Sequence, residues 1–222
     1  VQDVYKFDAR RIITGRIAAG QLKVGDHLVF SPSNKRANIR TVEAFNIEPQ
    51  PTEGQAGQSI GVTLDDQIFV ERGEIASHQE HLPSVSTAFR ANLFWLGKRP
   101  LEKERKYLLR VATKEVDCEV ASIHRIIDTM DLAQQQGSNT VNKNQVAELT
   151  LRTKTPVAFD LSASFEATGR FVLVDEYDIA GGGIITELVH DDQEFLREEA
   201  RRRDFAWVKG EVTVEDRAQQ YG

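Results

Sequence analysis

The sequence is poor in the residues that most often reveal a protein's class. It contains one cysteine, one methionine and two tryptophans among 222 residues. A single cysteine excludes a framework of internal disulfides and favours a reducing compartment. No apolar run approaches the roughly 20 residues that a transmembrane helix needs, and the N-terminal residues lack the pattern of a secretory signal. We therefore predict a cytoplasmic protein with no membrane partner.

Nucleotide-binding motifs are also missing. The P-loop string G-x-x-x-x-G-K-[ST], whose backbone amides hold phosphates, does not occur. Asn34-Lys35 resembles the start of the guanine-reading string N-K-x-D, but Ala37 stands where the aspartate belongs. The formal net charge of −6 argues against a domain that binds nucleic acid mainly through its phosphates. We predict no nucleic-acid partner.

The residue types that catalyse reactions or bind metals do not form a recognisable constellation. His78 and His81 flank a carboxylate, but a zinc site needs further ligands, so surface histidines are favoured. Cys118 lies in a run where apolar and acidic residues alternate, which predicts a structural thiol on the buried face of a strand. We therefore predict no catalytic, cofactor-binding or metal-binding residue and no enzyme activity in this chain alone.

Three local patterns leave alternatives open. Gly181-Gly182-Gly183 could approach a phosphate, but no helix start follows, which favours a structural turn or bulge. Arg201-Arg202-Arg203 could touch an anion, although neighbouring carboxylates favour a self-neutralised helix surface. Phe94-Trp95, in a run that is apolar on both faces, is either an exposed hot spot or part of a core with an adjoining domain packed on it.

Short β-branched runs separated by glycine turns fill most of the chain, and helical periodicity is almost absent. This pattern predicts an all-β fold of closed barrels. We place one barrel in residues 1–82 and a second in residues 83–190. Residues 191–222 are densely charged, and i,i+4 pairs of glutamate and arginine predict a helical linker there.

One set of strings in the first barrel is specific: Ile13-Thr14-Gly15-Arg16-Ile17, Gly20, Leu22-Lys23-Val24-Gly25-Asp26 and Glu71-Arg72-Gly73. Through these strings the first barrel resembles domain II of translational GTPases of the elongation-factor class, and the second barrel resembles domain III of the same proteins. A second set comprises residues 65–74, Phe94-Trp95-Leu96-Gly97, and residues 171–175 with 179–185. These strings resemble more closely the GTP-binding large subunit of bacterial sulfate adenylyltransferase.

The resemblance implies a function for a longer parent protein. Residues 205–222 resemble the lead-in to a fused adenylylsulfate kinase, and Val1 in place of a methionine fits an excised piece. Such a parent makes adenylylsulfate from ATP and sulfate, driven by GTP hydrolysis, and then phosphorylates it to 3′-phosphoadenylylsulfate. GTP, ATP and Mg would bind outside this chain.

The resemblance also implies a role for the barrels and a set of partners. The partners are the catalytic small subunit and the GTPase and kinase domains of the same chain. The barrels would couple the GTPase domain to the adenylyltransferase subunit. The alternative is a pair of tRNA-type binding barrels from a translation-factor-like GTPase.

Overall fold

A computed structural model describes residues 1–6, 10–129, 134–135 and 137–189. The predicted helical linker at 191–222 and the arginine run within it lie outside the described residues. Residues Val1–Val189 form one compact unit. Among the described residues of this unit, one helix of four residues occurs and the other regular elements are β-strands, as the sequence predicts. No helix in the described ranges has the length and apolar character needed to cross a membrane.

The first eight strands form an antiparallel sheet of six strands and a ribbon of two. The six-stranded sheet has the order β1-β2-β7-β5-β4-β8, and the ribbon pairs β3 with β6. The backbone N–H of Gly73, just before β8, donates to the carbonyl oxygen of Val1, just before β1. The two edge strands therefore meet there, and we call this unit the first barrel. Its strands are β1 (Asp3–Lys6), β2 (Arg11–Arg16), β3 (Gln21–Lys23), β4 (His27–Ser31), β5 (Lys35–Glu43), β6 (Glu53–Gln55), β7 (Ser59–Leu64) and β8 (Ile75–His78).

Side-chain alternation along these strands builds the core of the first barrel. In β5, Ala37 and Ile39 are buried two residues apart, and the next buried residue is Val42. The period changes there because the pairing of β5 with β7 shifts register between Ile39 and Thr41. The buried core comprises Ile13, Leu28, Phe30, Ile39, Val42, Val62 and Val70.

Six of the nine remaining described strands form a closed barrel, which we call the second barrel. Strand β11 pairs with both β12 and β16, so the order β11-β16-β17-β9-β15-β12 returns to its start. Strand β13 pairs antiparallel with the end of β12, and β10 pairs with β14 in a separate two-stranded sheet. The elements are β9 (Ser84–Trp95), β10 (Leu101–Glu102), β11 (Lys106–Val111), β12 (Lys114–Asp128), β13 (Gln134–Gln135), β14 (Thr140–Val141), β15 (Gln145–Phe159), α1 (Glu166–Gly169), β16 (Arg170–Asp175) and β17 (Asp178–Leu188).

Aromatic rings fill the second barrel. Phe89 lies 5.1 Å from Phe159 and 5.9 Å from Phe171, measured between ring centroids. Trp95 meets Tyr107 edge to face at 5.7 Å. Tilted and edge-to-face pairs are the arrangements that aromatic rings prefer, so these contacts add to the stabilisation that burial alone provides.

The two barrels touch at a seam formed by residues far apart in the sequence. The Thr113 hydroxyl, in the turn between β11 and β12, donates to the Val1 carbonyl oxygen at 2.6 Å. Gly73 faces the same turn, so closely that a Cβ added to it would lie 2.8 Å from the Lys114 Cα. The expected domain junction after residue 82 falls between β8 and β9, and the division into two domains stays a prediction.

Candidate interaction surfaces

The Cys118 thiol is buried inside the second barrel, as the alternating pattern predicts. Cys118 is 4% exposed and lies in β12, opposite Tyr107 on β11. Burial, together with the carboxylates of Asp117 and Glu119, raises the pKa of the Cys118 thiol to about 12. The thiolate is the reactive form of cysteine, so this environment suppresses nucleophilic chemistry.

We expect the Cys118 thiol of the folded protein to resist an aromatic disulfide reagent at pH 8. With a pKa of about 12, roughly one thiol in ten thousand is ionised at that pH. The rate at which Cys118 reacts with the reagent should rise by orders of magnitude in concentrated guanidinium chloride, because unfolding exposes the thiol and restores its ordinary pKa. Absorbance of the released thiolate measures both rates, and comparable rates in the two conditions would contradict this assignment.

Of the two histidines in the His78–His81 segment, His78 forms a side-chain hydrogen bond with a residue 52 positions away. The Nε2 atom of His78 lies 3.1 Å from a carboxylate oxygen of Asp26, and that oxygen also accepts from the Lys23 backbone N–H at 2.9 Å. His78 therefore ties the end of β8 to the turn after β3. Within the described residues, no group of three or more His, Cys, Asp or Glu side chains is arranged to hold a metal ion.

The triple glycine lies inside strand β17 and not in a turn. A register shift separates the pairs Leu173–Gly181 and Val174–Ile179, which places a bulge next to the run. A Cβ at Gly181 would lie 2.9 Å from the Trp95 ring, and one at Gly183 would lie 2.6 Å from the Phe171 ring. The glycines thus make room for aromatic side chains of the core.

Phe94 and Trp95 lie on opposite faces of β9, so Phe94 is partly exposed while Trp95 belongs to the core. Trp95 is fully buried, and its indole N–H donates to the Arg99 carbonyl oxygen at 2.8 Å. Phe94 is 37% exposed on the outer surface, where it lies opposite Gly182. Because Gly182 has no side chain, the ring stands beside an open position.

Other apolar side chains extend the exposed surface around Phe94. Leu96 is 48% exposed, and its backbone N–H donates to the carbonyl oxygen of Ala180 on β17, which brings the two strands together. We call this surface the outer apolar face. Exposed apolar side chains that cluster on one face are typical of an interaction surface. The outer apolar face comprises Phe94, Leu96, Ile179 and Ile184.

A second surface combines an exposed ring with two cations on the first barrel. Phe69 is 61% exposed. The Arg11 guanidinium lies 5.2 Å from the centroid of its ring and the Lys35 ammonium 5.9 Å. Lys35 also donates a hydrogen bond to the Phe69 carbonyl oxygen. We call Arg11, Lys35 and Phe69 the cation–aromatic cluster.

Sequence reasoning alone did not identify this cluster. Its members are separated by 24 and 34 positions, and the barrel fold alone brings them together. Lys35 drew attention only as part of a discounted guanine-reading string. No described carboxylate forms a salt bridge with Arg11 or Lys35. A ring with adjacent cations can bind an anionic group that also offers a flat surface.

A family model and a solved structure show which fold this chain shares with known proteins. Residues 88–186 match the family described as GTP-eEF1A C-terminal domain-like. Among solved structures, that of sup35 complexed with GDP aligns with a TM-score of 0.76 at 18% identity, over 85% of this chain and 46% of that chain. The expected pair of barrels of the translational-GTPase type is therefore confirmed as the fold.

Proteins with higher sequence identity to this chain include a subunit of sulfate adenylyltransferase. Sulfate adenylyltransferase subunit 1 of Francisella tularensis subsp. tularensis is 31% identical over 175 residues, which are 77% of this chain and 36% of that protein. Bifunctional enzyme NodQ of Azospirillum brasilense is 30% identical over 177 residues, 79% of this chain and 28% of that enzyme. The chain thus spans about a third of the length of these relatives. The resemblance to sulfate adenylyltransferase subunit 1 is confirmed along most of the chain.

Proposed function

We propose that this chain is the non-catalytic barrel segment of a sulfate-activating enzyme and that it couples a GTPase domain to an adenylyltransferase subunit. The similarity to sulfate adenylyltransferase subunit 1 over 77% of the chain carries this proposal. The parent protein would make adenylylsulfate from ATP and sulfate at the expense of GTP, in the cytoplasm. A fused kinase would then form 3′-phosphoadenylylsulfate. GTP, ATP and Mg would bind to other parts of that parent or to its small subunit.

The seam supports a coupling role because it joins the barrels through backbone contacts. Gly73 packs against the Lys114 backbone, and Thr113 hydrogen-bonds to the Val1 carbonyl oxygen. Through these contacts a displacement imposed on one barrel would be transmitted to the other. Rigid-body movement about an interface is a common way for a nucleotide state to reach a distant site.

The outer apolar face supports the same role because it offers contact area to another part of the enzyme. In the full-length parent with its small subunit, we expect Leu96→Ser with Ile179→Ser to lower the GTP stimulation of adenylylsulfate synthesis by roughly tenfold. Both side chains are about half exposed, so the fold should be retained. Tyr177→Ser is the matched control, since Tyr177 is 98% exposed and lies in the turn between β16 and β17. If the double variant is stimulated by GTP as strongly as the unmodified enzyme, the outer apolar face does not contribute to coupling.

The cation–aromatic cluster favours a second candidate function, tRNA-type binding by the barrels. An exposed ring flanked by cations can stack a base and contact a phosphate. The net charge of −6 and the similarity to the sulfate enzymes favour the first function over this one. Binding of tRNA that weakens steeply with salt and is lost in Phe69→Ala would support the second function and count against the first.

A further inference from the structure

The loop between β5 and β6 exposes two large apolar side chains. Phe45 is 100% exposed and Ile47 is 51% exposed. Burying either side chain would contribute about 1.5–3 kcal/mol. The first barrel leaves the Phe45 ring fully exposed and about half of the Ile47 side chain uncovered, so most of this contribution is available to a partner. We call residues 44–52 the apolar loop.

The apolar loop is held in shape by its own hydrogen bonds. The Gln50 side chain accepts from the Ala44 backbone N–H at 2.7 Å and donates to the Ile47 carbonyl oxygen at 2.9 Å. The far end is anchored because the Thr52 carbonyl oxygen accepts from the Val24 backbone N–H at 2.9 Å. A loop that is already ordered loses less conformational entropy on binding. The side chains of Phe45 and Ile47 are therefore held in place before a partner binds.

Carboxylates dominate the segment that contains the apolar loop. The sequence has no lysine or arginine between Arg40 and Arg72, whereas Glu43, Glu48 and Glu53 lie in or beside the loop. Arg10 pairs with Glu43 at 4.0 Å and Lys23 lies opposite Glu53 across the β3–β6 ribbon, whereas no described cation pairs with Glu48. Carboxylates in this position repel phosphate backbones and anionic lipid surfaces. They favour a protein surface that carries lysine or arginine.

We propose that the apolar loop docks on the second subunit of the sulfate-activating enzyme, in an apolar pocket rimmed by lysine or arginine. Phe45 is the anchor, Ile47 packs beside it, and Glu48 meets the basic rim. An aromatic anchor inside a charged rim is the usual pattern of an interface hot spot. The choice of partner rests on the proposed function, since the relatives are named as subunit 1 of a larger enzyme.

Titration of the small subunit into the full-length parent chain, followed by calorimetry, tests this proposal. Phe45→Ser should weaken binding roughly 30-fold, the effect expected of a hot-spot residue. The melting temperature should not change, because the ring makes no buried contact. Glu48→Lys should slow association and flatten its dependence on salt. Tyr177→Ser, which removes an equally exposed ring from the second barrel, should bind like the unmodified protein.

The outcomes separate the docking site from the function on which it rests. If the unmodified parent does not bind the small subunit, the proposed function fails and the docking site fails with it. If the parent binds and Phe45→Ser binds equally well, the proposed function stands and the docking site is wrong. An equal loss in Phe45→Ser and Tyr177→Ser would also overturn the proposal, because the loss would then reflect exposed aromatic area in general.

Discussion

Replacing Gly73 with alanine is expected to lower the free energy of unfolding of the barrel pair by about 3 kcal/mol. Gly73 has φ +92°, a conformation that side chains with a Cβ rarely adopt. The new Cβ would lie 2.8 Å from the Lys114 Cα, so the clash is with backbone and no side-chain rotation relieves it. The seam between the barrels must therefore open or shift. The urea midpoint of unfolding measures the loss.

Gly57→Ala is the matched control for this prediction. Gly57 has nearly the same backbone conformation, with φ +89°, but no atom lies within 4 Å of the place where its Cβ would be. This variant should lose only about 1 kcal/mol, the cost of the backbone strain. The difference between the two variants isolates the contact between the barrels. Equal losses would show that the seam contributes nothing to stability.

Replacing Gly183 with alanine is expected to destabilise the second barrel by about 2–3 kcal/mol. The added Cβ would lie 2.5 Å from the Asn92 carbonyl oxygen and 2.6 Å from the Phe171 ring. Strand β17 would have to move away from β9, or the ring would have to leave its place in the core. Thermal unfolding followed by circular dichroism is a suitable measurement.

Gly182→Ala tests whether packing explains the triple glycine. The nearest atom to its added Cβ is the Phe171 carbonyl oxygen at 3.8 Å, an ordinary contact distance. Alanine there should be neutral or stabilising by up to about 1 kcal/mol, because glycine loses more backbone entropy on folding. If Gly182→Ala and Gly183→Ala lower the free energy of unfolding equally, the glycines are not explained by the room they leave for aromatic rings.

Local pattern predicted many strands well, and the failures have physical causes. The sequence pattern predicts a strand over residues 170–175, which coincides with β16, and one over residues 107–112, which differs from β11 by one residue at each end. It also predicts a strand over residues 145–152, whereas β15 continues through Pro156 to Phe159. A register shift between Arg152 and Val157 accommodates the proline, since a bulge does not require its missing N–H.

The glycine run misled the prediction of where the last strand begins. The sequence pattern predicts a final strand over residues 184–189, whereas β17 begins at Asp178 and runs through the three glycines. Glycine usually weakens a strand, because it has no side chain to pack. Here the rings of Trp95 and Phe171 fill the space that side chains would take. That compensation comes from β9 and β16, so the glycine run alone could not indicate it.

The sequence by itself determined the all-β class, the burial of Cys118 and the resemblance to the sulfate-activating enzymes, because each depends on alternation or on strings of neighbouring residues. Only the tertiary structure decided which distant residues meet. It placed Gly73 against Lys114, gathered Arg11 and Lys35 around Phe69, and turned Phe94 outward while burying Trp95. These contacts depend on strand register and on how the sheets close. A shift of one residue in pairing would exchange the two faces of a strand, and local pattern does not fix that pairing.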